Sequence, residues 1–299
     1  METIFITGAN GFLGQHLTQY FAFKNFNVIA SGRGACRIAA KEKFKYAELD
    51  LTNRRAVKEC LQLYRPSVII HTAAMSKPDE CNNNKEACLL NNVEATKNLI
   101  EASQSFSPHF IYISTDFVFG EDGPHDEENK PNPLNFYGET KLMAETLVAQ
   151  TNLLNSIVRI VFIYGAIGEG MRPSFLHWVK NNLEQNKKIK VVSDQLRTPT
   201  YTIDICKGIE TIIKQKASGV FHLAGKDILS PYQMAITVAD VVGLDKSLIE
   251  NVTSETFPEP VVRAKRSGLK ISKAIHVLGY SPVSFEEGVR LTFEQRNKN

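Results

Sequence analysis

The chain is poorly equipped for metal or disulfide chemistry. Its cysteines, at 36, 60, 81, 88 and 206, are odd in number and nowhere spaced as CxxC. That argues against a disulfide framework, a zinc ribbon or a dithiol redox motif, and for free thiols in a reducing compartment. The histidines at 16, 71, 109, 125, 177, 222 and 276 show no ligand spacing, so no metal site is expected. The lone tryptophan, Trp178, lies between Leu176 and Val179 and reads as part of a helix face. Long apolar runs are missing too. The most apolar stretch, 156–168, is short and contains Arg159, so no membrane-spanning segment is expected. No leader is expected either, because the first strand begins almost at Met1. Charge is nearly balanced, at +3, and the only dense patch is Lys187-Lys188-Ile189-Lys190. Such a short run reads as a solvated turn, so nucleic acid is not an expected partner. What remains is a cytoplasmic globular protein, with a homodimer left open.

What is present begins with an alternation. Apolar, β-branched runs at 3–7, 27–31, 46–49, 67–71, 109–114 and 156–163 read as strands. Helical periodicity falls between them, at 12–26, 56–64, 86–103 and 137–151. This order predicts an α/β fold with a doubly wound parallel sheet. After about 165 the rhythm changes. A glycine-rich loop at 165–170 is followed by helices at 174–186 and 230–242 and short strands at 190–192 and 220–223, with a loop rich in Pro and Arg at 258–268. The expected division is a dinucleotide-binding domain of 1–167 with about 196–224, and a smaller lobe of about 168–195 and 225–299.

Between the first strand and first helix lies Thr7-Gly8-Ala9-Asn10-Gly11-Phe12-Leu13-Gly14. Gly8 permits a tight turn, Gly11 a close backbone approach to a pyrophosphate, and Gly14 close packing of helix on strand. The helix start presents free N–H groups and a positive dipole to phosphate. The second strand ends in Ala30-Ser31-Gly32-Arg33-Gly34-Ala35-Cys36-Arg37, without the carboxylate that would hold the ribose of NAD. Arg33, helped by Arg37, is placed to pair with a 2′-phosphate. NADP(H) is therefore the expected cofactor, with NAD(H) as the alternative. Asp50 and Leu51 are expected near the adenine, and Ala73-Ala74-Met75 along the cofactor.

Tyr137 and Lys141 stand four residues apart, on one helix face. A carbonyl reduction needs a proton as hydride arrives, and a neighbouring ammonium would bring a phenol toward neutral pH. Ser114-Thr115-Asp116 ends the fifth strand, at the carboxyl edge where ligands bind. Thr115 is the preferred donor to a substrate carbonyl; Ser114 competes for that role or contacts the cofactor.

Three segments together resemble the dTDP-4-dehydrorhamnose reductases, within the extended short-chain dehydrogenase/reductases. They are the 7–14 loop, Ser114-Thr115-Asp116-Phe117-Val118-Phe119-Gly120, and Pro133-Leu134-Asn135-Phe136-Tyr137-Gly138-Glu139-Thr140-Lys141. The resemblance implies a Thr115–Tyr137–Lys141 triad, Asp116 close to a sugar, and hydride transfer from NAD(P)H to a 4-keto nucleotide sugar. Phe117 stands where related dehydratases carry Glu, so dehydration is not expected. Ser193-Asp194-Gln195-Leu196-Arg197-Thr198-Pro199-Thr200 resembles a further family segment, with Arg197 in place of a small residue. Phe162 stands where these reductases often carry Trp. Arg263 and Arg266 fall in a region resembling a late Arg-Pro-x-x-Ser segment, with Ala264 in place of the proline, and would face a nucleotide diphosphate. Asp116, Phe117, Phe162, Arg197, Arg263 and Arg266 are thus the expected substrate contacts. The alternatives are an epimerase or another reductase of the same superfamily, or a non-catalytic NADP-binding subunit, since the family includes a regulatory subunit of methionine adenosyltransferase.

Overall fold

Each strand run of the first half becomes a parallel strand, largely buried except for the one at 46–49, which forms the exposed edge of the sheet. The computed structural model describes residues 2–168, 170–257 and 260–294. Glu169 of the glycine-rich loop, Pro258 and Glu259 of the later loop, and the last part of the 225–299 assignment lie outside the described residues. The strands are β1 (Glu2–Thr7), β2 (Phe26–Gly32), β3 (Lys45–Glu48), β4 (Val68–His71), β5 (His109–Thr115), β6 (Asn155–Ile160), β7 (Ile163–Tyr164), β8 (Ile189–Val192), β9 (Thr200–Tyr201), β10 (Gly219–His222) and β11 (Ile249–Val252). The helices are α1 (Phe12–Ala22), α2 (Arg54–Tyr64), α3 (Pro78–Asn83), α4 (Lys85–Leu89), α5 (Ala95–Ser103), α6 (Phe136–Ala149), α7 (Phe175–Glu184), α8 (Thr202–Gln215), α9 (Pro231–Val242), α10 (Ser272–Leu278) and α11 (Phe285–Glu294).

Seven strands form one sheet in the order β10-β6-β5-β4-β1-β2-β3, parallel throughout. The order reverses at β1: after β3 the chain crosses back to lay β4 on its other side, and this opens a crevice at the strand ends. Successive residues of β1 serve opposite faces. Ile4 and Ile6 pack with Leu13, Leu17 and Phe21 of α1 and Ile205 and Ile209 of α8. Phe5 packs on the other side, with Val57, Leu61, Leu99 and Phe110. The two-residue period of a strand makes this division, and each such side chain contributes about 1.5–3 kcal/mol when fully buried. A third core joins α7, β8, α9, β11 and α11 through Leu176, Val179, Ile189, Met234, Val238, Ile249, Phe285 and Val289. In α9, Ser230 and Gln233 form a reciprocal capping box and Pro231 opens the first turn.

Four differences from the sequence reading have physical causes. The first helix ends at Ala22, not 26, because Phe26 is drawn into β2, where it meets Phe21 edge-on at 5.3 Å. The long helix of 86–103 is divided by a π-helical segment, Leu90–Glu94. The strand of 156–163 stops at Ile160, because Phe162 has φ of 39°, which no strand accommodates. Finally, Leu269, Ile271, Ala274, Leu278 and Tyr280, which fall in the 225–299 segment, pack with α8 in the first core.

Candidate functional site

A cavity of about 600 Å³ lies over the crevice between β1 and β4, within the size range of ligand sites. One end is made of backbone. Gly8 has φ of 64°, and the Gly11 N–H donates to its carbonyl at 2.8 Å. A Cβ on Gly14 would stand 2.2 Å from that same carbonyl, and one on Gly8 would stand 2.7 Å from the Ala73 backbone. These contacts require glycine and draw the start of α1 against the turn. No side chain caps α1, and its first turn has no acidic residue. Its leading N–H groups and positive dipole end therefore serve an anion.

Asn10 organises the neighbouring loop. Its amide donates to the Ala35 carbonyl at 3.0 Å and to the Tyr46 hydroxyl at 2.9 Å, and accepts from the Arg37 N–H at 3.0 Å. Arg33 and Arg37 are thereby held as exposed cations at the cavity rim. Asp50 also lines the cavity, with one carboxylate oxygen accepting from both the N–H and the hydroxyl of Thr52. Leu51, Ala73, Ala74, Phe12 and Leu13 complete this wall. Met75 does not line it. Asn92 clamps its backbone, accepting from the N–H at 2.7 Å and donating to the carbonyl at 3.0 Å.

At the other end, α6 brings Tyr137 and Lys141 to the end of β5. Asn135 starts this helix by accepting from the Gly138 N–H at 3.0 Å. The neighbouring Thr115 draws the Tyr137 phenol down, but burial, the largest influence, pushes it above its ordinary range. Lys141 donates to the Ile113 carbonyl at 2.7 Å and stands 4.0 Å over the Tyr112 ring. Burial lowers its pKa to about 7. The expected draw of the ammonium on the phenol therefore does not describe this geometry; Lys141 is held by the strand, and Tyr137 stays protonated at neutral pH. Ser114 lines the cavity, and its buried hydroxyl has no partner in the structure; the same is true of Ser31. Two orphaned hydroxyls on the wall fit a polar ligand that completes their hydrogen bonds.

Asp116 is buried just beyond β5, against Ser267 from late in the chain. Its carboxylate accepts from Ser267 Oγ at 2.9 Å and Thr115 Oγ1 at 3.1 Å. Burial raises its pKa, and Arg197 opposes that shift. A cavity of about 20 Å³ lies here, lined by Asp116, Phe117, Arg197 and Arg263 among others. Arg197 is braced by the Leu196 and Lys265 carbonyls and by Gln195. Arg263 pairs with Asp79 at 2.8 Å. Phe117 and Phe162 line the large cavity as well. Arg266 joins neither; it is exposed and gives its backbone N–H to Glu121.

Sequence reasoning missed Ser31, Thr72, Ser76, Asn91, Ile160, Val161 and Ile163 on the cavity wall. Ser31 stood in plain view at the end of a strand. Asn91 carried no such signal, because the π-helical turn that orients it has no periodicity in the sequence.

The family model described as the RmlD substrate binding domain matches residues 1–297. The chain belongs to this family. Among its relatives is a methionine adenosyltransferase 2 subunit beta from Bos taurus, 32% identical over 88% of this chain and 78% of that protein. A probable low-salt glycan biosynthesis reductase, Agl14, from Haloferax volcanii is 30% identical, covering 95% of this chain and 94% of its own. A dTDP-4-dehydrorhamnose reductase structure from Clostridium acetobutylicum superposes with a TM-score of 0.86 at 30% identity, covering 99% of both chains. Another, from Bacillus anthracis in complex with NADP, gives 0.83 at 28% identity, again over 99% of both. Among the described residues, no helix is long and apolar enough to cross a membrane.

Proposed function

We propose that this protein is an NADP(H)-dependent reductase of a 4-keto nucleotide sugar. The observation that carries the reading is the convergence of Thr115, Tyr137 and Lys141 on the wall of a cavity that the 8–14 loop also lines. NADPH, when bound, supplies the hydride. Gly8, Gly11, Gly14 and the start of α1 would hold its pyrophosphate, Arg33 and Arg37 its 2′-phosphate, and Ser31 and Ser114 would regain partners. Asp50, Leu51, Ala73 and Ala74 would border the adenosine. Thr115, turning its hydroxyl from Asp116 to the substrate, polarises the carbonyl, and Tyr137, kept protonated by burial, gives its proton to the developing alkoxide. Lys141 orients the nicotinamide ribose. Asp116 fixes Thr115, and Arg197 and Arg263 border the sugar and its diphosphate. In this reading, residues 1–167 with about 196–224 carry the cofactor, and about 168–195 with 225–299 carry the sugar. The reductases among the relatives, including the one crystallised with NADP, support the assignment.

The test is NADPH and NADH oxidation with a dTDP-4-keto-6-deoxyhexose, followed by nicotinamide absorbance. Turnover should prefer NADPH and fall by about 10²–10⁴-fold in Tyr137→Phe, the usual range for a lost general acid. A second reading, a non-catalytic NADP-binding subunit of a methionine adenosyltransferase, is favoured by the 32% identity to such a subunit. NADPH binding without turnover, together with an unchanged effect of Tyr137→Phe on an adenosyltransferase, would establish it instead.

A further inference from the structure

Beneath the catalytic end of α6 lies an ion pair that no wall of the cavity touches. Glu145 sits one helical turn below Lys141, as Lys141 sits below Tyr137. Arg159 of β6 grips it bidentately, with Nε to Oε1 at 2.9 Å and Nη2 to Oε2 at 2.7 Å. Both side chains are only 5% exposed. The remaining nitrogen, Arg159 Nη1, meets His222 Nε2 at 3.5 Å, and the guanidinium lies 4.8 Å over the Phe119 ring. His222 Nδ1 pairs with the Lys270 carbonyl at 3.2 Å, so the Nδ1–H tautomer is the one that satisfies both neighbours.

Such a buried pair is a weak source of stability, since well-packed apolar residues commonly do as well. Its orientation gives it another use. Glu145 and Lys141 lie four residues apart on the buried face of α6, and the influences that offset burial at Lys141 are Glu145 first and Cys88 second. We propose that Glu145, clamped by Arg159, is a positioning residue that keeps the Lys141 ammonium charged in a site stripped of water. The purpose of this device rests on the reductase reading; the electrostatics do not.

The other groups facing Lys141 do not replace Glu145. His71 of β4 is buried and bonded to Thr7 and Thr96, and burial holds it neutral, with a pKa of about 3. Tyr112 of β5 offers its ring face, and Ile113 its carbonyl. Cys88 of α4 lies alongside, bonded to Thr140 and Asn92. Tyr137 and Asp116 lie toward the cavity, where Asp116 is engaged by Ser267 and Thr115. Burial is the largest influence on Lys141 and lowers its pKa; Glu145 is the largest influence opposing it.

The experiment is a titration of Lys141 by carbon NMR in protein labelled at the lysine ε-carbon, with the resonance assigned by its loss in Lys141→Arg. Glu145→Gln should lower the midpoint by about one unit or more, a roughly tenfold loss of proton affinity. Glu145→Asp should restore most of it. Because Glu145→Gln leaves Arg159 buried without its partner, the double variant Glu145→Gln/Arg159→Met is measured beside it, and a fall in the same direction is expected there, smaller because a cation is removed with the anion. An unchanged midpoint in either folded variant overturns the proposal. No substrate is present in this titration, so it stands or falls apart from turnover. If the enzyme does turn over, the alkaline limb of its rate profile should move down by the same amount in Glu145→Gln; a limb that stays in place would also count against the proposal.

Discussion

The two ends of the large cavity are built from different materials. At the 8–14 loop the recognising atoms are backbone, and side chains are excluded by contacts as close as 2.2 Å. Around Asp116 they are side chains drawn from distant segments, with Ser267 reaching a carboxylate 151 positions earlier in the chain. Backbone recognition tolerates almost any ligand bearing the right phosphate. Side-chain recognition is where one substrate is told from another.

Three substitutions press on this contrast. Gly14→Ala attacks the backbone end, where its Cβ meets the Gly8 carbonyl. Overpacking of about 1–3 kcal/mol should weaken NADPH binding roughly 5- to 150-fold, measured by fluorescence titration. Ser267→Ala attacks the other end by removing a donor to Asp116. NADPH affinity should stay unchanged while KM for the keto substrate rises about threefold to tenfold, as for one lost hydrogen bond of about 0.5–1.5 kcal/mol. Equal effects on both ligands would erase the distinction.

Glu210→Gln is the mildest for ligands and instead tests the rear of α1. There Glu210 of α8 accepts from Tyr20 and Lys24, each at 2.6 Å, and pairs with Lys214 at 2.9 Å. Burial alone would raise its pKa, but these donors outweigh it and hold the value near 2, below the ordinary 4.5. The folded state therefore gains from Glu210 above about pH 4.5 and loses that gain as the pH falls toward 2. Lys24 and Lys214 are partly exposed, at 38% and 64%, so solvent screening limits the gain to about 1–2 kcal/mol. In Glu210→Gln, Tm should drop at neutral pH and converge with the parent in acid, with NADPH affinity unaltered.

The same contrast explains what could be read from the sequence. The phosphate loop, the Tyr137–Lys141 pair and the alternation of strands are local patterns, each contained in a few residues, and α/β architecture follows from them. Helix α8 was also legible in principle, since Ile205, Ile209 and Ile212 are buried at helical spacing, yet it passed without assignment. What local patterns do not carry is direction and pairing. Arg33 and Arg266 are both exposed arginines in loops, but only Arg33 is turned to the cavity, because Asn10 ties its loop to the first turn. Met75 follows two alanines that do line the wall, and is withdrawn by Asn92 from a helix 17 positions away. The pull of Lys141 on Tyr137 failed for a like reason: the Ile113 carbonyl, 28 positions earlier, takes the ammonium.

The path of the chain between the first and third cores bears on ancestry. The third core is visited three times, through Tyr164–Tyr201, Met234–Ile249 and Phe285–Val289, and after each of the first two visits the chain returns to the sheet's first core, at Ile205–Ala224 and at Leu269–Tyr280. No single cut in the gene separates the lobes. Recombination therefore has no block to exchange, and a descendant acquiring a new substrate must do so by substitution within the loops that border the cavity, with both cores left intact at every step.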